Sequence, residues 1–320
     1  MSGIVEIAKV STGVAQVPTR IGIWFNPAHT AYGGPAQVLI GTLLGFLQGD
    51  DPPLILLNSP GDLNWLIDTP TSWLSFDLAT RGLRRSLGPL LFSAADVHTD
   101  PNTSPLWRLG STSLTLYLAP STWFASWVSR KMPFYDLSHG RPLIIWGAGV
   151  NTDFFRPSSE PKKHTFFVYF KSQRWSELSR VHQYLFQNYF RFHGPTLIYY
   201  FHSHEELLAA ATGSEFCIYM GGVETQGLAA LEIMACGCPL FVLDACEFAH
   251  EGVATQQATS VCCWDARCGL KSAIASMAED FPTFLAALGS FQPRAFVEER
   301  YSWHSAALIL RRALESMPIR

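Results

Sequence analysis

The sequence predicts an α/β fold made of two domains whose parallel sheets face a cleft. Short apolar runs, typical of buried strands, alternate with longer amphipathic stretches typical of helices, and this alternation indicates βαβ units. The alternation stops at residues 147–160, which are rich in Gly, Pro, Asn and Ser, and restarts beyond residues 157–161. Two such runs across a linker predict two α/β domains.

The first run begins with an apolar strand at 20–26, a turn-rich loop at 27–35 and a helix at 36–47. Ser121 is a predicted N-cap, because its hydroxyl can accept a hydrogen bond from the first turn of a helix that continues to about residue 130. Short apolar runs predict further strands at 54–57, 90–93, 114–119 and 143–146.

The second run repeats the pattern beyond the linker. Its predicted strands are 165–170, 196–201, 216–220 and 239–243. Its predicted helices are 175–189, 205–211, 228–236, 279–288 and 295–317. Because helices separate the strands, we expect a parallel sheet.

Composition excludes several classes of protein. With 320 residues, 48% of them hydrophobic, the chain is not intrinsically disordered. The net charge is −3 and neither half is basic, which argues against a nucleic-acid partner. The start resembles no signal peptide, and the longest apolar run, 38–47, is shorter than the about 20 residues of a membrane span. We expect a soluble cytoplasmic protein, with peripheral membrane contact if Arg81, Arg84 and Arg85 share one side of a helix.

All seven cysteines lie between Cys217 and Cys268. An odd number in a long chain argues against a disulfide scaffold. Structural zinc sites usually use CxxC-type pairs, whereas here the spacings are CxC at Cys236 and Cys238 and CC further on. Buried reduced thiols are the favoured interpretation, and a zinc site that includes His250 is the alternative.

The segment 221–239 carries the strongest chemical signal. It follows a predicted strand, at the carboxyl edge where α/β proteins bind ligands. A loop starting at Glu224 leads to a helix that begins near Leu228, and the N–H groups of a helix N-terminus suit a phosphate. Glu232, one turn into that helix, is placed to accept hydrogen bonds from ribose hydroxyls, and Glu224 from a sugar. The alternatives are a helix-capping acid for Glu224 and a solvated helix residue for Glu232.

Glu224 and Glu232 are eight residues apart, and the sequence Cys-Gly-Cys-Pro follows at 236–239. This pattern resembles the Glu-x7-Glu motif of glycosyltransferase family 4. Four further segments resemble other parts of that family. They are the glycine loop at 26–34, the Pro-Ser-x-Trp turn at 119–124, the interdomain linker at 146–157 and the closing helix at 296–314. The resemblance covers nearly the whole chain. It implies the GT-B fold, in which the active site lies between two Rossmann-like domains.

The resemblance also implies domain boundaries. It predicts an N-terminal Rossmann-like acceptor-side domain at 1–157 and a C-terminal Rossmann-like nucleotide-sugar-binding domain at 158–295. A closing helix at 296–320 is expected to cross back to the first domain.

Residue roles follow from the same resemblance. Glu232 would bind the nucleotide ribose and Glu224 the transferred sugar. The backbone of four consecutive residues would hold the sugar and the distal phosphate: Thr225, Gln226, Gly227 and Leu228. Lys171 and Arg174 would neutralise the diphosphate, although their spacing departs from the family's Gly-Arg-x4-Lys pattern, and a surface pair at a helix start is the alternative.

Other assignments rest on fewer residues. Gly33 and Gly34, in the glycine loop, would approach the donor phosphates or the acceptor. Phe201 and His202 would flank the nucleobase, with a purely structural loop as the alternative. Two histidines that follow predicted strands, His29 and His98, are candidates for contact with the sugar or the acceptor.

The implied activity is sugar transfer from a nucleotide-sugar donor to a hydroxyl of a glycan, lipid or small molecule, with retention of anomeric configuration. No Asp-x-Asp occurs in a suitable loop, so we expect neither a metal ion nor another cofactor. The main alternative is a catalytically silent GT-B protein that binds glycans or serves as a partner subunit. A sugar-nucleotide epimerase, a phosphorylase and a zinc-dependent regulatory protein are weaker alternatives.

Overall fold

The computed structural model describes residues 20–24, 34–49, 54–57, 63–67, 90–93, 115–131, 143–172, 174–245, 248–250, 253–255 and 258–315. Two parallel sheets organise these residues. Among them, no helix combines the length and apolar composition that a membrane crossing requires.

The first sheet consists of six strands: β1 (Arg20–Trp24), β2 (Leu54–Leu57), β3 (Leu63–Ile67), β4 (Leu90–Ser93), β5 (Thr115–Ala119) and β6 (Leu143–Ile145). Their spatial order is β2-β1-β3-β4-β5-β6, and every neighbouring pair is parallel. Helix α1 (Gly34–Leu47) lies between β1 and β2 in the chain, and helix α2 (Thr122–Lys131) follows β5.

The second part of the chain contains the remaining strands: β7 (His164–Phe170), β8 (Thr196–Ile198), β9 (Ser214–Met220), β10 (Leu240–Leu243), β11 (Phe248–His250), β12 (Val253–Thr255) and β13 (Gly269–Ser272). Five of them form a parallel sheet in the order β13-β10-β9-β7-β8, while β11 and β12 form a separate antiparallel pair. These sheets confirm the predicted α/β class.

Six helices accompany these strands: α3 (Trp175–Asn188), α4 (His204–Gly213), α5 (Leu228–Ala235), α6 (Met277–Ala287), α7 (Pro293–Arg300) and α8 (Trp303–Glu315). The central strands are apolar on both faces, as expected for a sheet covered on both sides. On β7, Phe167 and Tyr169 join one core with residues of α4, α5 and α7. The intervening Phe166, Val168 and Phe170 join the other core, with residues of α3 and α6.

Helix α8 packs against α1 through glycines. A Cβ added at Gly41 would overlap the Trp303 indole, and one added at Gly45 would overlap the Trp303 carbonyl oxygen. The lack of side chains at these two positions therefore lets the two helices approach closely. Among the helices that the structure describes, the last therefore contacts the first.

The structure differs from three predictions of secondary structure. Strand 196–201 ends at Ile198, because the chain turns at Tyr200, where φ is +72°. The single helix 295–317 is two helices separated at residues 301 and 302. Strands β3, β11, β12 and β13 were not predicted. The domain boundaries at 157 and 295 stay predictions.

Candidate functional site

The candidate site lies where the strand order of the second sheet reverses. β7 pairs with β8 on one side and with β9 on the other, so their connections diverge and open a crevice at the carboxyl ends. Lys171 and Ser172 directly follow β7, and their backbone N–H groups donate to the Met220 carbonyl of β9 at 2.9 and 3.0 Å. These bonds hold the two strand ends together beneath the predicted donor-binding residues.

Lys171 and Glu224 form an ion pair in this crevice. Lys171 Nζ lies 2.5 Å from Glu224 Oε1, and the two side chains are 29% and 13% exposed. The same ammonium group lies 4.4 Å from the centroid of the Tyr199 ring, a favourable cation–π position. Burial raises the pKa of Glu224, and attraction to Lys171 opposes that rise. The N-cap of α5 is Gly227, so the alternative of Glu224 as a helix cap is wrong.

The loop that starts at Glu224 is anchored by both parts of the chain. Glu224 N donates to the Thr259 carbonyl at 3.1 Å, and the Glu224 carbonyl accepts from Trp123 Nε1 at 2.9 Å. Gln226 Nε2 donates to the Ala148 carbonyl at 2.6 Å. Trp123 belongs to α2, and Ala148 follows β6. Residues from the part of the chain that contains the first sheet therefore hold the loop that begins at Glu224.

Gly227 turns the loop into helix α5. Its φ of 77° and ψ of 61° lie in the left-handed region, which glycine adopts without steric cost. Since glycine has no side chain to cap the helix, the positive end of the helix dipole at Leu228 is available to an anion.

Glu232 lines a cavity of about 250 Å³. Its side chain is 10% exposed, and Oε1 lies 3.7 Å from His204 Nε2 at the start of α4. Burial raises the pKa of Glu232 to about 7. The alternative of a solvated helix residue is therefore wrong: this carboxyl is buried beside a cavity and titrates near neutral pH.

The cavity wall comes from both halves of the chain. Gln37 of α1, Trp303 of α8, and Gly149 and Asn151 after β6 line one part, and residues of α4 and α5 line another. Whole drug-sized ligands usually occupy about 300–1,000 Å³. This smaller space suits one portion of a ligand, such as a ribose with part of its base.

The structure places other predicted residues less centrally. Arg174 is 53% exposed, and its guanidinium binds Glu177 at 3.1 Å. Phe201 is 83% exposed after β8. His202 stands 5.6 Å from the Tyr169 ring, in an edge-on contact above the core. No described contact joins these three to the Lys171–Glu224 pair.

The glycine-loop residues are only partly described. Gly34 is the first residue of α1. Gly33, His29 and His98 lie outside the described residues.

Sequence reasoning missed a polar network beneath the loop. Thr259 Oγ1 donates to Asp244 Oδ2 at 2.7 Å, and Lys271 Nζ donates to Thr259 Oγ1 at 2.6 Å. Ser260 N also donates to Asp244 Oδ1, at 2.5 Å. Asp244 follows a predicted strand, so its place at the sheet edge was a usable signal. Lys271 lies on the unpredicted β13, and nothing in the sequence marked it.

The cysteines serve packing in the described parts of the chain. Cys236 and Cys238 are buried, and the Cys262 thiol donates to the carbonyls of Thr225 and Gln226 at 3.3 and 2.9 Å. Among the residues that the structure describes, no three His, Cys, Asp or Glu side chains group as a metal site requires. Cys246 lies outside them.

The relation of the chain to known proteins is one of fold. No protein-family model matches it, and no curated protein sequence does. Several solved structures match. A TarM variant from S. aureus, crystallised with fondaparinux, α-GlcNAc-glycerol and UDP, has a TM-score of 0.51 and 10% identity over 79% of this chain and 55% of its own.

Two further structures are similar to a lesser degree. Sucrose-phosphate synthase from Thermosynechococcus elongatus has a TM-score of 0.47 and 15% identity, covering 79% of this chain and 72% of its own. The catalytic domain of starch synthase IV from Arabidopsis thaliana, bound to ADP and acarbose, has a TM-score of 0.47 and 11% identity, covering 89% and 79%. Identities this low show the fold alone, and that fold is GT-B, with two Rossmann-like domains.

Proposed function

We propose that this protein is a glycosyltransferase of the family 4 type that moves a sugar from a nucleotide-sugar donor to a hydroxyl acceptor. The observation that carries the proposal is the arrangement of two glutamates. Glu224 pairs with a lysine at the switch point of the sheet, and Glu232, one turn into α5, lies beside a cavity. The TarM structure, which contains UDP, supports a nucleotide-sugar donor.

The nucleoside would occupy the cavity. An ionised Glu232 can accept hydrogen bonds from two vicinal ribose hydroxyls, and charged acceptors form the stronger bonds. His204, at 3.7 Å, is near enough to orient this carboxylate. Phe201 and His202, beyond the end of β8, remain candidates to flank the base.

The diphosphate would lie at the start of α5. Backbone N–H groups from Thr225 to Leu228 and the dipole of α5 supply partial positive charge, and Lys171 supplies a full charge. An arriving diphosphate competes with Glu224 for Lys171, which frees the Glu224 carboxylate to accept hydrogen bonds from hydroxyl groups of the donor sugar. Arg174 must leave Glu177 before it can contribute.

The transfer itself needs no protein nucleophile. The bond from the anomeric carbon to the diphosphate oxygen breaks, and the acceptor oxygen bonds to the same carbon from the same face, which retains the configuration. The acceptor proton passes to the departing phosphate oxygen. Lys171 and the start of α5 stabilise the charge that develops on the diphosphate, so we propose a reaction without metal ion or other cofactor. The acceptor is a glycan, a lipid or a small molecule.

Thermal unfolding at pH 8 tests donor binding. The protein is melted alone and with UDP-, GDP-, ADP-, CMP- and dTDP-sugars, without added metal. A ligand at a hundred times its dissociation constant stabilises by about 2.7 kcal/mol, so one donor is expected to raise the midpoint. Glu232→Gln should reduce the stabilisation to about 0.4–1.4 kcal/mol, whereas Glu215→Gln, at an exposed glutamate on β9, should keep it in full.

Turnover separates the enzyme from a silent binding protein. The donor that binds is incubated with the protein and candidate acceptors, and release of free nucleotide is measured. A transferase releases nucleotide, and Lys171→Met slows the release. Binding without any release would instead favour the silent GT-B alternative, and absence of binding to every donor would refute the proposal.

A further inference from the structure

A second surface of interest lies at the amino edge of the second sheet, opposite the candidate site. The segment between α3 and β8 runs beside the start of β7, where Thr165 N donates to the His193 carbonyl at 3.0 Å. His193 Nε2 lies 3.1 Å from the Lys163 carbonyl. These contacts bring Lys162 and Lys163 into one surface with residues 190–193.

Two large aromatic side chains protrude from this surface. Phe186 is 77% exposed near the end of α3, and Phe190, four residues later, is 73% exposed. The Arg191 guanidinium lies 5.6 Å from the Phe190 ring. Exposed apolar patches that are rimmed by polar residues mark sites of interaction with proteins or membranes.

The surrounding charge is positive. Residues 161–204 contain six Lys and Arg but a single acid, Glu177, although the whole chain has a net charge of −3. Two of the six, Lys171 and Arg174, belong to the candidate site. The other four are exposed on α3 or at the amino edge: Lys162, Lys163, Arg180 and Arg191. Two acids also lie at this edge: Glu160 precedes Lys162 in the chain, and Glu215 follows Ser214, which pairs with His164 of β7.

We propose that these four cations and the two phenylalanines dock the protein on an anionic phospholipid bilayer. Phenylalanine rings at a membrane surface are buried at the boundary between headgroups and acyl chains, and the negative surface potential of anionic lipids attracts Lys and Arg. A bilayer can accommodate protruding rings at any lateral position. A protein partner would need pockets for the two rings and acidic groups opposite the cations. This surface is independent of the proposed transfer reaction.

Docking here leaves the candidate site in water. Helix α3 has 14 residues and begins just after the carboxyl end of β7. At 1.5 Å per residue it spans about 20 Å, which separates the site from the bilayer. An acceptor that projects from the membrane, or a soluble one, can reach the cleft.

Vesicle co-sedimentation tests the proposal. The full chain is mixed with vesicles of phosphatidylcholine alone or with added phosphatidylglycerol. We expect at least about tenfold stronger binding to the anionic vesicles and a loss of binding at high salt. One basic residue near the membrane contributes about fivefold in affinity, so Lys163→Glu with Arg191→Glu should reduce binding about 25-fold or more.

Matched variants separate the surface from general stickiness. Phe186→Ser with Phe190→Ser should lower binding about tenfold, whereas Ile309→Ser, an exposed apolar side chain on α8, should leave it unchanged. Melting curves confirm that each variant is folded. The proposal is wrong if the wild type ignores anionic vesicles or if the phenylalanine and charge variants bind as well as the wild type. A concentration-dependent dimer that the phenylalanine variants abolish, without vesicle binding, would also overturn it.

Discussion

Replacing Glu232 with glutamine is expected to stabilise the protein at alkaline pH. The Glu232 carboxyl is buried and close to a cavity, and burial raises its pKa from 4.5 to about 7. Glutamine has nearly the same shape and carries no charge at any pH. The variant therefore removes the cost of ionising a buried group and little else.

The sign and size of the effect follow from proton linkage. In the unfolded chain this carboxyl loses its proton near pH 4.5, whereas in the folded protein it keeps the proton to about pH 7. Between these values the folded state binds more protons, so the free energy of unfolding falls as pH rises. This rise in the pKa of Glu232 corresponds to a cost of about 3 kcal/mol, fully developed above pH 7. Below pH 4.5 the penalty is absent.

Melting curves of wild type and Glu232→Gln from pH 5 to pH 8.5 measure this cost. An unfolding entropy of about 2.1 cal/mol/K per residue over 320 residues gives about 1.5 °C per kcal/mol. The variant should therefore melt up to about 5 °C higher at pH 8 and close to wild type at pH 5. Parallel pH profiles for the two proteins would refute the reasoning, and Glu215→Gln controls for the loss of a surface charge.

Nucleotide affinity should change in the opposite direction. A hydrogen bond to a charged group contributes about 1.5–3 kcal/mol, so Glu232→Gln is expected to weaken donor binding about 10- to 100-fold at pH 8. Titration of the donor by calorimetry measures this. If the variant is more stable but binds the donor as tightly as the wild type does, Glu232 does not bind the ribose.

Two further substitutions test the architecture. Lys171→Met leaves the Glu224 carboxylate buried without its partner, so urea unfolding should show a loss of about 1–3 kcal/mol at pH 8. The loss should shrink as the pH falls, because burial raises the pKa of Glu224 and protonation removes the unpaired charge. Equal losses at all pH values would show that the pair is not responsible. Gly45→Ala forces a Cβ onto the Trp303 carbonyl and should lower the free energy of unfolding by about 1–3 kcal/mol. Gly213→Ala is the control, because the space around Gly213 is open. Equal stability of the two variants would contradict the close contact between α1 and α8.

The sequence was sufficient to predict three central strands of the second sheet. β7, β9 and β10 are continuous apolar runs, because both faces of these strands are covered, and such runs stand out from the helices between them. Once strands alternate with helices, their carboxyl ends share an edge. Lys171 and Glu224 could therefore be placed near each other without a structure.

The break between α7 and α8 had one sequence signal, which the prediction overlooked: Ser302 precedes α8, and its hydroxyl accepts a hydrogen bond from Ser305 N at 3.0 Å. Neither glycine nor proline occurs at residues 301 and 302. The helix ends because Val150 N donates to the Tyr301 carbonyl at 2.7 Å and Trp303 N donates to the Val150 carbonyl at 3.2 Å. A distant segment of chain thus takes over the backbone bonds that a continuous helix would make, and periodicity cannot reveal it.

The burial of Glu232 was hidden in the sequence. All residues from Ala230 to Ala235 are buried, so α5 has no solvated face for the sequence to display. Such a helix has no polar face in its sequence, so the sequence does not show whether Glu232 is buried or exposed. Its two-sided packing depends on α4, α7 and the second sheet, which are known only after folding.

The glycine contact between α1 and α8 also sets an order of events during synthesis. Trp303 leaves the ribosome roughly 260 residues after Gly45, which at about 5–20 residues per second means a delay of about 13–50 s. Until then the glycine face of α1 has no partner. Helix α1 therefore cannot form its contact with α8 until the end of the chain has been synthesised. A chaperone that covers α1 during that interval would protect the nascent chain from aggregation.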